Sequence, residues 1–380
     1  MKPQMLRGLL QNLLLSGLSI CVTLIMGEMG VRLLVPEYLT SPHPQGMYIS
    51  DQVRGYALAP DFHASLKSPE FQTSISTNSQ GLRERELGPK APGTFRVLVL
   101  GDSFVFGQGV DAELAFPRLL ESELAKYRPD IKTQVINAGV PGYGTDQEFA
   151  LLQELGWSYS PDLVIVNMFA GNDVNDNLIG GKERRSVRNG FLYDEYQARQ
   201  KASKYRIVGP LTSWLAVYSR LYVFMRTPLD VIQWSRGTRL PVPQEHLEAI
   251  QIPLSQEFRD GLVLTESILK QMTDQASQHG AHLMIVVVPS AVQVDDTLWN
   301  ETISVYRLSA ANYDRAQPGK LFVQFGQEVG LPVFDLMPDF VNVDSAYFKN
   351  DIHWNTKGHM IAARAISRFL VADSQLLGSK

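Results

Sequence analysis

Phe95-Arg96-Val97-Leu98-Val99-Leu100-Gly101-Asp102-Ser103-Phe104 decides how this chain is read. The unbroken apolar run Val97 to Leu100, closed by glycine, predicts a buried strand, as in a parallel sheet. The Gly101-Asp102-Ser103 run then puts a serine hydroxyl at the carboxyl end of that strand, where open α/β sheets carry their chemistry. Most serines are solvated loop residues or helix caps, so the serine needs a whole site around it. Asp351-Ile352-His353-Trp354-Asn355, about 250 residues downstream, supplies the remaining parts. Serine, histidine and aspartate can act as nucleophile, base and orienter.

The 380 residues are 44% hydrophobic and 19% charged, enough to bury one large core or two smaller ones. A formal net charge of -4 leaves no basic footprint, so nucleic acid is not an expected partner. Cys21 is the single cysteine and excludes an internal disulfide.

Lys2 and Arg7 precede an uncharged, mostly apolar stretch from Gly8 to Gly27, about one bilayer thickness as a helix. A buried soluble helix and a cleavable secretory signal are the alternatives, but no small-x-small cleavage site follows the apolar core. The positive-inside rule puts the amino terminus in the cytoplasm and the rest of the chain outside it. The expected organisation is a membrane anchor at 1–35, an extracytoplasmic lead-in at 36–92, and a domain at 93–373 with an insertion at about 178–256.

The lead-in is rich in Pro, Ser and Gly, with strand-like pieces such as Phe71 to Ser76. From Thr94 the pattern changes to alternation. Strands are expected at 95–100, 134–137, 163–168, 282–288 and 332–335. Helices are expected at 116–127, 147–155, 256–279, 310–329 and 358–370. Such alternation implies right-handed βαβ crossovers and a mostly parallel sheet. The alternation lapses after Asn177. Lys182-Glu183-Arg184-Arg185 reads as a solvated face or turn, and Leu211 to Met225, carrying Trp214, Tyr218, Tyr222 and Phe224, as a core-facing or lid helix. The other reading of that aromatic helix is a groove wall or a surface touching membrane or partner.

The chemistry-bearing residues fall in loops after strand ends. Ser103 follows the first strand, Asn137 to Gly144 the second, and Ala170-Gly171-Asn172-Asp173 the third, while Asp351 and His353 precede the last helix. These ordered blocks, Gly101-Asp102-Ser103, Gly142, Gly171-Asn172-Asp173 and Asp351-x-His353, resemble the SGNH hydrolases, or GDSL-type esterases, over roughly residues 93 to 370. The resemblance implies a flavodoxin-like three-layer α/β/α fold, with Ser103 as nucleophile, His353 as base, and Gly142 and Asn172 in the oxyanion hole. No Gly-x-Ser-x-Gly elbow of the α/β-hydrolases is present. Many members of that family have aspartate three residues before histidine, where this chain has Asn350 and carries its aspartate at minus two. Asp351-Ile352-His353-Trp354 is locally similar to the alginate O-acetyltransferase-like branch, and the Asn78 to Arg83 segment to a lead-in of membrane-tethered bacterial members.

The residue types suit acyl transfer. A neutral imidazole must reach the Ser103 hydroxyl, a carboxylate such as Asp351 must fix its tautomer, and the Ser103 N–H, the Gly142 N–H and the Asn172 amide are candidate oxyanion donors. Loss of one such donor typically costs ~3 kcal/mol of barrier. Asp102 and Asp173 are expected to cap turns, Asn137 to fasten its loop, and His359 to pack inside the last helix. No metal site is expected, because His353 and His359 lack a third ligand at suitable spacing, and no cofactor is called for. The expected activity is a serine-dependent acyl-ester hydrolase working on acylated carbohydrate or cell-envelope material. The alternatives are an O-acyltransferase serving a polysaccharide, with a multi-spanning acyl donor as partner, and a non-catalytic cell-surface scaffold.

Overall fold

The computed structural model describes residues 3–35, 41, 43–204, 208–226, 242–373 and 375–377. Two compact units are present. One comprises Met1–Pro44 and Gln197–Thr238, the other Gln45–Tyr196 and Arg239–Lys380.

The larger unit begins with two antiparallel hairpins, β1 (Tyr48–Asp51) with β2 (Gly55–Leu58) and β3 (His63–Lys67) with β4 (Gln72–Ser76). Three strands of a central sheet follow, β5 (Thr94–Gly101), β6 (Lys132–Gly139) and β7 (Leu163–Phe169). A third hairpin, β8 (Arg185–Arg188) with β9 (Phe191–Asp194), precedes the last two sheet strands, β10 (His282–Val288) and β11 (Val333–Asp335). The central sheet runs β11-β10-β7-β5-β6, and every pairing in it is parallel. Chain order reverses between β5 and β7, so the crevice for chemistry opens at their carboxyl ends. This is the flavodoxin-like order that the family resemblance implies.

Successive residues of each strand feed opposite cores, because side chains alternate across a sheet. Leu98, Leu100, Val164, Val166, Ile285 and Val287 pack on one side, against Leu151 and Leu152 of helix Thr145–Glu154, Leu269 and Met272 of helix Gln256–Gln278, and Phe322 of helix Gln317–Val329. Val97, Val99, Ile165, Met284 and Val286 face the other way, against Leu120 and Leu124 of helix Phe116–Tyr127 and Ala363 and Ile366 of helix Thr356–Ala372. Both faces are covered, and Val97 to Leu100 have no exposed surface. At about 25 cal/mol per Å² of apolar area buried, these two layers carry most of the driving force for folding.

Among the elements that differ from expectation, two have a plain local cause. The helix foreseen over 310–329 starts at Gln317; Ala310–Asn312 is a separate 3₁₀ turn. Pro318 lacks an N–H and so opens the helix, where nothing is lost, instead of interrupting one. The helix Asp296–Tyr306, which the sequence reading left unassigned, begins with the Asp295 carboxylate accepting the Leu298 N–H at 2.9 Å.

In the smaller unit the amino-terminal helix runs Pro3–Leu34, and Leu10–Leu34 is long and apolar enough to cross a membrane. The aromatic segment is two helices, Val208–Tyr218 and Arg220–Arg226, broken at Ser219. Its large side chains are not core-facing as expected: Trp214 is 55% and Leu211 57% exposed.

Arg83, in the lead-in, is only 2% exposed. Its guanidinium donates to the carbonyls of Phe106 (3.0 Å) and Gly107 (2.8 Å), which end the short helix opened by Ser103, and to those of Ser74 and Val110 (2.8 Å each). Burial pulls its pKa down to about 10, so it is still charged at neutral pH. Arg83→Ala leaves those carbonyls without their donor inside the protein. Chemical denaturation should show a loss of roughly 3 kcal/mol with an unchanged denaturant slope.

Candidate active site

The nucleophile candidate is held by the turn out of β5. Asp102 accepts the Phe104 N–H at 2.8 Å and so caps the four-residue helix Ser103–Phe106, as expected for that aspartate. Ser103 occupies the first helical position, where the N–H has no intrahelical acceptor. Beneath it Phe104 packs edge-on against Trp354, with ring centroids 4.9 Å apart, and Trp354 is fully buried and stacked on Phe340. The aromatic contact fixes the height of the last loop relative to the serine.

That loop brings in His353 and Asp351. His353 Nε2 lies 2.6 Å from Ser103 Oγ, and His353 Nδ1 is hydrogen-bonded to Asp351 Oδ1. Asp351 also accepts the His353 N–H at 3.0 Å, which lets a spacing of two residues work: the backbone folds back on the carboxylate. Because Nδ1–H donates to Asp351, the tautomer leaves Nε2 as the acceptor for the serine hydroxyl. Asp351 does not cap the last helix; Asn355 does, accepting the Lys357 N–H at 2.9 Å.

Burial pushes the His353 imidazole down, yet the facing Asp351 carboxylate, helped by Asp102, outweighs it and raises the pKa above the ordinary value of 6.5. Asp102 is itself pushed up to about 6 by burial, partly offset by the Phe104 N–H. Behind it Glu148 and Asp173 are driven well above the usual carboxyl range, chiefly by burial and further by the Asp102 charge. Asp173 accepts the Phe169 N–H at 2.7 Å and braces the loop after β7, a structural part as expected. Asn137 likewise fastens its loop, donating to the Val105 carbonyl at 2.8 Å and accepting the Gly139 N–H at 3.0 Å. His359 is buried, accepts the Phe116 N–H at 3.2 Å, and is pulled down to about 3 by burial.

Gly142 and Asn172 are tied to each other by residues that sequence reasoning passed over. Asn172 Nδ2 donates to Asp176 Oδ2 at 2.8 Å, using one amide hydrogen and leaving the second for a ligand. Asp176 is also paired with Arg184, and its Oδ2 lies 3.6 Å from Arg185 Nη1. The same Arg185 Nη1 donates to the Gly142 carbonyl at 2.6 Å. Thus Arg184 and Arg185, expected in a solvated face or turn, are instead turned into these pairings. Arg184 is only 6% exposed. Its acidic partner is eight residues upstream, across a helix end, a distance at which sequence shows no pairing.

Gly142 has φ +79°, the left-handed region that favours glycine. A Cβ there would meet Arg185 Nη1 at 3.0 Å and Tyr56 Oη at 3.1 Å. The lead-in hairpin supplies that tyrosine, whose hydroxyl donates to the Pro141 carbonyl at 2.9 Å, while the Tyr143 hydroxyl donates to the Tyr56 carbonyl at 2.5 Å. A neighbouring tyrosine pair at this spacing carries no sequence signature. Its partners lie 85 and 87 residues apart. Among the described residues no cluster of three or more His, Cys, Asp or Glu side chains is arranged to hold a metal ion.

Comparison with known proteins shows the family to which the chain is related. The profile of the GDSL-like Lipase/Acylhydrolase family matches residues 99–361, spanning Ser103 and His353. An arylesterase from Vibrio mimicus is 35% identical over 85 residues, 22% of this chain and 40% of that protein. Among solved structures, a catalytic mutant of an acetylxylan esterase from Geobacillus stearothermophilus is 14% identical, with 76% of this chain and 99% of that chain covered and a TM-score of 0.38. A GDSL-like lipase from Bacteroides thetaiotaomicron is 12% identical, covering 75% and 91%, with a TM-score of 0.34.

The charge arrangement around His353 has a measurable sign. Asp351→Asn removes the carboxylate that favours the imidazolium and leaves burial, which favours the neutral ring. In an NMR titration the His353 pKa should therefore fall below its value in the unsubstituted protein; a rise would contradict the arrangement.

Proposed function

The chain belongs to the GDSL-like lipase/acylhydrolase family, and from that premise we propose that it is a serine-dependent acyl-ester hydrolase that works outside the cytoplasm on acylated carbohydrate of the cell envelope, with Ser103, His353 and Asp351 as its catalytic residues. The observation that carries the reading is the unbroken hydrogen-bond chain from Asp351 through His353 to Ser103 Oγ, closed by a 2.6 Å contact. A nucleophile, a base within reach and an orienter on the base's other nitrogen make up the arrangement that acyl transfer requires.

The reaction follows from the geometry. As Ser103 Oγ forms a bond to the ester carbonyl carbon, its proton passes to His353 Nε2, and the imidazolium is stabilised by Asp351. Negative charge develops on the former carbonyl oxygen, where the Ser103 N–H, the Gly142 N–H and the Asn172 amide serve as donors. Collapse breaks the bond to the alcohol oxygen, which takes the proton from His353 and leaves an acyl-Ser103. Water then attacks with His353 again as base, and the acid departs. Arg185 and Asp176 are positioning residues in this scheme: one carboxylate aims the Asn172 amide, one guanidinium holds the Gly142 peptide, and their mutual attraction keeps both donors in a single frame.

The compartment rests on the amino-terminal helix. Leu10–Leu34 has the length and apolar character of a span, with Lys2 and Arg7 before it, so the positive-inside rule favours a cytoplasmic start and an extracytoplasmic catalytic unit. A carbohydrate ester of the envelope is the substrate class that such a placement puts within reach. A sugar hydroxyl in place of water would give the transferase, which the same residues serve.

The full-length protein, incubated with a chromogenic acetyl ester, should release acetate, and a fluorophosphonate should label it at Ser103. Ser103→Ala should abolish both; equal labelling of the two proteins would sink the assignment. Asn172→Ala should reduce kcat about 10²- to 10³-fold, the usual effect of losing one oxyanion donor. Mass spectrometry with an oligosaccharide present reads the acceptor, since free acid marks a hydrolase and acylated sugar the transferase.

Two further outcomes test the supporting frame and the charge of the base. Arg185→Ala should lower kcat roughly 10- to 100-fold with little change in KM, with Arg185→Lys recovering part of it, because misaimed donors weaken transition-state binding alone. The acid limb of kcat/KM follows the raised pKa of His353, so activity is lost as pH falls through a value above 6.5. Asp351→Asn should move that limb to lower pH while reducing the plateau.

A further inference from the structure

In the smaller unit, the end of the amino-terminal helix is clasped by the aromatic segment. Glu28 accepts the backbone N–H groups of Arg220 and Leu221 at 3.0 Å each and the Ser219 hydroxyl at 2.8 Å, so a side chain of the first helix caps the start of helix Arg220–Arg226. Arg32 joins in, donating to Glu28 at 2.7 Å and to the Tyr218 carbonyl at 3.0 Å. Gly27 makes the approach close. A Cβ there would come within 3.0 Å of the Leu221 side chain. Helices Val208–Tyr218 and Arg220–Arg226 are thereby fixed to residues 27–32, near the carboxyl end of the apolar helix.

Whatever is fixed to the end of a span lies at the height where the span leaves the bilayer. The clasped helices present apolar surface there. Val208 (58% exposed), Leu211 (57%), Trp214 (55%) and Tyr218 (47%) recur at helical spacing along one face, and Met225 (58%) continues the exposed surface on the next helix. Exposed rows of this size on a folded unit mark contact surfaces. Trp and Tyr are the residues that favour the headgroup level. Charge points to the same partner: residues 197–238 contain seven Lys and Arg against the single acid Asp230, in a chain whose formal net charge is -4. Basic residues beside a span attract anionic lipid headgroups.

We propose that residues 208–226 are an interfacial membrane segment, lying in the leaflet that the amino-terminal helix exits, with the Val208-Leu211-Trp214-Tyr218 face against an anionic phospholipid surface. The proposal rests on the reading of Leu10–Leu34 as a span. The clasp would make that span a two-point anchor, as interfacial helices combine buried apolar area with electrostatic attraction.

The test uses the full chain in phosphatidylcholine vesicles with and without phosphatidylglycerol. Cys21, the only cysteine, takes an environment-sensitive fluorophore; Leu211→Cys, Met225→Cys and Val263→Cys, each in a Cys21→Ser background, report the segment and an exposed site on helix Gln256–Gln278. Nitroxide lipids quench from either the headgroup region or deep in the acyl chains. The expected result is deep quenching at Cys21, and shallow quenching at 211 and 225 several-fold above that at 263 and stronger in the anionic vesicles. Quenching at 211 and 225 as weak as at 263, with Cys21 still quenched, overturns the proposal and leaves the span standing. No quenching at Cys21 removes the span and the proposal with it. Equal quenching in the two vesicle types overturns the choice of an anionic surface.

Discussion

Parallel pairing of β5 between β6 and β7 is the constraint on which the active unit depends. Parallel strands point their carboxyl ends the same way, so loops from residues 101, 139 and 169 open on one edge however far apart they are in sequence. The crossovers need helices on both faces, and the faces must then be apolar throughout, which is why Val97 to Leu100 form an unbroken run with no exposed surface. The reversal of chain order between β5 and β7 leaves a crevice at that edge. Ser103 stands at its lip because Asp102 turns the backbone into a helix one residue after the strand ends.

Electrostatics at this edge is organised around burial. Asp102, Glu148 and Asp173 crowd behind the serine, and three carboxylates cannot all be ionised in such a place. Burial drives the Glu148 and Asp173 carboxyls well above their usual range, while the charges that raise the His353 imidazole come from Asp351 and Asp102. Asp176, also buried, pairs with Arg184 and Arg185, and those contacts also steady the Asn172 side chain and the Gly142 peptide.

Segments outside the alternating core turn out to be scaffolding for the site. Arg83 of the lead-in holds the carbonyl end of the helix that starts at Ser103, and Tyr56 braces the Pro141-Gly142 turn. The hairpin β8–β9 contributes Arg185. None of these residues is needed to make a five-stranded sheet. They add donors to carbonyls that loops near a crevice would otherwise leave without partners, and such groups are expensive when buried.

Strand and helix periodicity, the Gly101-Asp102-Ser103 turn and the Asp351-x-His353 pair were legible in the amino-acid order, because each depends on neighbours within a few residues. Alternation of apolar runs with helical spacing dictates a parallel sheet, and a glycine-aspartate-serine run at a strand end dictates where its hydroxyl emerges. Only tertiary structure decided that Arg185 and Asp176 bind Gly142 and Asn172 into one frame, that Arg83 and Tyr56 support it, and that the aromatic stretch divides at Ser219 under a cap from Glu28, 191 residues away. A hydrogen bond or ion pair between distant segments depends on where folding places both partners, and charge runs and tyrosines look alike in sequence whether they meet water or each other. Local order sets the elements and where the Ser103 hydroxyl emerges; how Gly142 and Asn172 are held beside each other is a property of the packed whole.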